Sequence, residues 1–135
     1  VLVKLLRIAN DQIGRLFATC SRRAREFYDW YQHPSTSDLR GRNLLREWLS
    51  PEQLAQYDEY GYFEVTGCCT GKRYRINHRV GLNVYELDGA GRPRAGWCFV
   101  PKDNLVAGDV MLAQKIALET DERCALAVAR NFLIR

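Results

Sequence analysis

Residues 62–100 read YFEVTGCCTGKRYRINHRVGLNVYELDGAGRPRAGWCFV. Within this stretch Tyr62–Gly67, Arg73–His78, Leu82–Asp88 and Arg94–Val100 are short runs rich in aromatic and β-branched residues. Turn-forming segments separate them: Cys68-Cys69-Thr70-Gly71-Lys72, Arg79-Val80-Gly81 and Gly89-Ala90-Gly91-Arg92-Pro93. Short runs of this kind with tight turns between them predict a four-stranded antiparallel β-meander. In the second run Tyr74, Ile76 and His78 share one face, and Arg73, Arg75 and Asn77 share the other. Successive side chains on a strand point to opposite faces, so the sheet is expected to be covered on one side and wet on the other.

The flanks of the meander read as helices. Upstream, Ser50-Pro51-Glu52-Gln53 combines a capping serine, a proline suited to the first helical turn and a glutamine that can reach back to the cap. A helix from Pro51 to about Tyr60, stopped by Gly61, follows from it. Downstream, Asp109 is placed to cap a helix carrying Val110, Ala113, Ile116 and Ala117 at helical spacing. Thr120-Asp121-Glu122 looks like a second cap, which makes residues 121–133 either a separate helix or a kinked continuation. At the other end of the chain, Leu2, Leu5, Leu6, Ala9, Ile13, Leu16, Phe17, Cys20, Ala24, Phe27, Tyr28 and Tyr31 recur at steps of three and four. They mark one stripe of a long N-terminal amphipathic helix. Pro34 and the small polar residues around it read as a breaker. The expected organisation is therefore a basic helix over residues 1–32, a linker over 33–42 and an α+β core over 43–135, its C-terminal helices packed on the sheet.

A chain of 135 residues with 47% hydrophobic and 27% charged residues has the size and composition of one folded domain. No apolar run approaches the roughly 20 residues that span a bilayer. Five scattered cysteines, an odd number, suggest free thiols in a reducing compartment, and the charged N-terminus has no secretory pattern, so the cytoplasm is the expected location. The net charge is +4. Residues 1–48 hold nine basic and five acidic side chains, and residues 49–135 are balanced, so the whole excess is N-terminal. Sixteen of the 20 basic residues are Arg, whose planar fork suits bidentate contacts to carboxylate or phosphate.

Three stretches carry a resemblance: Leu44 to Gln53, Tyr62 to Val65 with Thr70 to Ile76, and Gly96 to Pro101 with Gly108 to Lys115. Over residues 44–122 the chain resembles small uncharacterised proteins of proteobacteria and their mobile elements. The resemblance implies a bacterial or phage origin and a core domain with a variable N-terminal extension. It transfers no functional residue.

Catalytic signatures are weak. Gly67-Cys68-Cys69-Thr70-Gly71-Lys72 has one residue too few between its glycines for a phosphate loop and lacks the following Ser or Thr, so it reads as a hairpin turn. Gly89-Ala90-Gly91 has no third glycine and opens no helix. Cys68, Cys69, His78 and Cys98 all lie in the meander, but adjacent cysteines are expected to point apart and not to reach one zinc ion. A cysteine nucleophile with His78 as its base would need the two within hydrogen-bond reach. Acidic residues show no paired spacing, and His33 beside Pro34 reads as a turn residue. No catalytic residue, metal or cofactor is expected.

Binding is the better expectation. Arg15, Arg22, Arg23 and Arg25 on the first helix, with Arg40, Arg42 and Arg46 beyond it, could grip phosphates beside Phe27, Tyr28, Trp30 and Tyr31. These arginines are the candidate nucleic-acid-binding residues of a small basic binding module. The alternative is a protein partner, or a second copy in a homo-oligomer, held along the apolar stripe of residues 1–32. A membrane-surface helix is weakened by Asp11, Glu26 and Asp29. A cysteine- or zinc-dependent enzyme is the remaining alternative.

Overall fold

A computed structural model describes residues 33–132 and residue 134. The expected N-terminal helix over residues 1–32, with Arg15, Arg22, Arg23 and Arg25, lies outside the described residues. Ser37–Arg135 forms one compact unit. Its elements are α1 (Thr36–Trp48), α2 (Pro51–Tyr60), β1 (Tyr62–Thr66), β2 (Arg73–Asn77), β3 (Val84–Leu87), β4 (Pro93–Cys98), α3 (Ala107–Val128) and β5 (Arg130–Phe132). The fold is α+β, an antiparallel meander in the order β1-β2-β3-β4-β5 with helices on one face.

The α2 boundaries follow the sequence signals. Ser50 Oγ accepts from the Gln53 amide at 3.2 Å, and Gln53 Oε1 accepts from the Ser50 amide at 3.1 Å, which closes the capping box. Gly61 ends the helix in the left-handed region at φ 71°. The glutamines of α2 then protect the sheet edge. Gln56 Oε1 accepts from the Glu64 amide at 3.0 Å, and Gln53 Nε2 donates to the Glu64 carbonyl at 2.9 Å. The outward backbone groups of edge strand β1 are thereby satisfied at their midpoint.

Three expectations are corrected. First, residues 36–42 are not linker but the opening turns of α1, with Asp38 in the first turn where a helix favours negative charge. Second, a fifth strand follows α3 where helix was expected to reach residue 133. Arg130–Phe132 pairs antiparallel with β4, and the Phe132 ring fills the space over Gly96, where a Cβ would lie 2.1 Å from it. Third, Asp109 does not cap α3. The helix starts at Ala107 after Val106, which makes no side-chain cap, and Asp109 sits in its first turn.

The early start of α3 has a packing reason. Gly108 is buried, and a Cβ there would stand 2.3 Å from the backbone carbonyl carbon of Gly41 in α1. A Cβ on Gly41 would stand 2.6 Å from Val106 Cγ2. The two helices thus meet backbone to backbone, which only glycine permits. Further along, α3 is kinked at Asp121, whose φ −149° and ψ 61° are not helical, as the second cap signal anticipated. The core lies between the helices and the inner sheet face and includes Leu45, Tyr57, Phe63, Val65, Tyr74, Ile76, Val84, Met111 and Leu118. Asn83 and Gln114 cross it as a reciprocal amide pair at 2.8 and 2.9 Å, which spares both buried groups a desolvation penalty.

Gly108→Ala should destabilise the unit by about 1–3 kcal/mol, the usual range for overpacking, because rigid backbone must move apart. Urea unfolding measures this, and wild-type stability in the variant would show that the helices do not meet at Gly41 and Gly108.

Candidate functional site

Strand register sorts the meander into two unlike faces. Phe63, Ile76, Val84 and Trp97 face each other across neighbouring strands on the helix-covered side. The adjacent row Glu64, Arg75, Tyr85, Gly96 and Phe132 lies on the opposite side. The elements packed in the core through α1, α2 and α3 reach only the first face among the described residues. Among the described residues the second face is the open one, its Glu64, Arg75, Tyr85 and Phe132 half-buried.

Polar and aromatic groups are interleaved on this open face. Glu64 is gripped by Arg73 at 2.8 Å and by Arg75 at 3.0 Å. The Arg75 guanidinium also lies 4.4 Å from the centre of the Tyr62 ring, a cation–π contact. Tyr60 stacks on Tyr62 at 5.4 Å between centroids and 16° between planes. Tyr62 is thus engaged by two neighbours, and Tyr60, 58% exposed, is the ring left open at the end of the stack. Tyr85 and Phe132 meet edge to face at 5.8 Å. At the far end of the sheet, off this face, Lys72 and Arg94 reach the buried Glu86 of the Tyr74 row at 3.0 and 3.6 Å, and Arg92 pairs with Asp88 at 3.0 Å. On the open face itself Arg73 and Arg75 stand against Glu64.

The arginines expected to bind nucleic acid fare differently. Arg40 is exposed. Arg46 is exposed but holds Asp58 through both guanidinium nitrogens. Arg42 is half-buried, with its Nε buried and unpartnered among the described residues, and its charge acts on Tyr57 and His78. Tyr57 Oη and His78 Nδ1 share a 2.8 Å hydrogen bond. Burial, followed by the Arg42 charge, lowers the His78 pKa against the opposing pull of Asp38, so its neutral form is favoured. His78 therefore has a tyrosine partner, while the cysteines that gather do so elsewhere.

That gathering place is the β1–β2 hairpin, built around Glu122 of α3. Glu122 is wholly buried. Its Oε2 accepts from the Cys69 and Thr70 amides, each at 2.8 Å, and its Oε1 accepts from the Thr70 hydroxyl and from Tyr74 Oη at 2.7 Å. Gly67 lets the loop wrap this closely, since a Cβ there would lie 2.3 to 2.5 Å from the carboxylate atoms. Burial pushes the Glu122 pKa up, but the bonds from the Thr70 and Tyr74 hydroxyls and the two amides outweigh it and bring it down to about 2. Sequence reading missed this group, because a single Glu in a helix reads as a solvated side chain. It also placed Cys68 and Cys69 pointing apart, whereas their Sγ atoms lie 3.6 Å from each other.

A cavity of about 240 Å³ lies between the segment after β4 and α3. Phe99, Val100, Leu105, Val110, Ala113 and Val128 contribute to its wall, which contains no titratable side chain. It offers nothing for acid–base or nucleophilic chemistry. No helix among the described residues is long and apolar enough to cross a membrane. Comparison with protein-family models, with curated proteins and with solved structures finds no match.

Glu122 sets a pH dependence. Its folded-state pKa lies below the ordinary value of 4.5, so its stabilisation is complete above about pH 4.5 and is lost as pH falls toward 2. A depression of this size corresponds to about 3 kcal/mol. Urea unfolding between pH 7 and pH 2 should show that loss in the wild type. In Glu122→Gln the neutral-pH stability should fall by a similar amount and the acid limb should flatten; unchanged stability would mean that the carboxylate is not held as described.

Proposed function

We propose that this protein is a non-catalytic nucleic-acid-binding module that takes single strands on the open face of its sheet. The carrying observation is the Tyr60–Tyr62 stack beside Arg75, next to Arg73 and across the sheet from Tyr85 and Phe132. Single-stranded nucleic acid is recognised by aromatic rings that stack on bases and by cations that follow the phosphates, and this surface supplies both. Tyr60 would take a base on its exposed side. Arg73, Arg75 and Arg94 would track the backbone, and Arg15, Arg22, Arg23 and Arg25 would supply further cations for phosphate. The arginine-rich composition supports the same reading, since guanidinium pairs with phosphate bidentately.

A second reading, a protein partner, draws on that same cavity, where Val100 and Val128 are 69% and 79% exposed. Affinity for a labelled oligothymidine or oligouridine separates the two. It should fall steeply with salt, and Tyr60→Ala should weaken it by about 1–3 kcal/mol, the usual worth of a stacked base, with the fold intact. Replacing Arg22 and Arg23 by Ala should weaken it further and reduce its salt dependence. No oligonucleotide binding, together with salt-insensitive self-association in light scattering, would overturn the nucleic-acid reading.

A further inference from the structure

The Glu122 anchor has a chemical by-product at the tip of the β1–β2 hairpin. By drawing the Cys69 and Thr70 amides onto one carboxylate, it curls the loop until two adjacent thiols face the same way. Cys68 and Cys69 are both exposed, with Sγ atoms 3.6 Å apart. Cys124, on α3 just beyond Glu122, is also exposed. Among the described residues, the His, Cys, Asp and Glu side chains whose ligand atoms converge within 4.8 Å are Cys68, Cys69 and Glu122.

We propose that Cys68 and Cys69 form a surface thiol site for a soft divalent cation of the zinc and cadmium class. The spacing fits: with Zn–S bonds of about 2.3 Å, two sulfurs of a tetrahedral site lie about 3.8 Å apart. The two thiols can therefore bind one ion with little movement of the loop. Thiolate softness selects this class over magnesium or calcium. Glu122 is not counted among the ligands, because both its oxygens are taken by hydrogen bonds from Cys69, Thr70 and Tyr74. It contributes a fixed buried negative charge next to the cation. Cys68 Sγ also accepts from the Glu122 amide at 3.4 Å, which orients the sulfur.

Binding replaces two S–H bonds by two metal–sulfur bonds and releases two protons to solvent, with no change of oxidation state. Cation uptake is accordingly expected to be pH-dependent and to acidify a weakly buffered solution.

The test uses the full chain, kept reduced, titrated with Cd²⁺ alone and followed by the sulfur-to-cadmium charge-transfer absorbance, with Zn²⁺ as competitor. The expected result is a band saturating at one ion per chain, with proton release, displaced by Zn²⁺. The band should be lost in Cys68→Ser and Cys69→Ser and unchanged in Cys98→Ser. Thermal unfolding without metal should match the wild type in Cys68→Ser and Cys69→Ser, since these two thiols are exposed. A wild-type chain without the band, or a double Cys68→Ser/Cys69→Ser variant that keeps it, would overturn the proposal.

Discussion

A single buried carboxylate organises one end of this domain. Glu122 is a wholly buried charge beside the apolar core, a placement that costs several kcal/mol unless every lone pair finds a donor. It finds them in three residues of one hairpin and strand: the amides of Cys69 and Thr70, the Thr70 hydroxyl and the Tyr74 hydroxyl. The same contacts fasten the β1–β2 turn to α3 next to its kink at Asp121, where Cys68 also donates its amide to the Leu118 carbonyl at 3.1 Å. Gly67 is a consequence of this arrangement, since nothing larger fits over the carboxylate. So is the convergence of Cys68 and Cys69.

The rest of the domain rests on two further close approaches. Gly41 and Gly108 let α1 and α3 touch backbone to backbone, and Gly96 leaves the space that the Phe132 ring occupies on the outer face. Together with the Glu122 anchor, they direct the helices to one side of the meander and leave the other side to tyrosines and arginines. The functional proposal follows from this division. A sheet covered on one face can hold a flat binding surface in register without a pocket, and strand pairing sets the spacing of its rings.

Features that announce themselves locally were legible in the sequence. Alternation from Tyr62 to Val100 marks the first four strands to within a residue or two, and α2 carries a signal at both ends, Ser50–Gln53 and Gly61. Features that depend on a distant partner were not. Gly41, a few residues after Pro34 and its small polar neighbours, reads as linker until Gly108 is placed against it, and Asp109 reads as a cap until the same contact requires Ala107 and Gly108 to be helical. β5 is only three residues long, too short for a pattern, and it is defined by pairing with Gly96, Trp97 and Cys98. The open face was visible as the polar side of β2, but its aromatic members come from four different segments that only register brings together. Glu122 was the least visible, because its partners lie about fifty residues earlier in the chain.

Hydrogen exchange of the Cys69 and Thr70 amides tests the anchoring role of Glu122 most directly. Both residues lie in an exposed turn, where amides ordinarily exchange quickly. If the carboxylate holds the hairpin as described, these two amides are protected to the same degree as those of β1 and β2 in the wild type and lose that protection in Glu122→Gln. Fast exchange of both amides in the wild type at neutral pH, alongside protected strands, would contradict it.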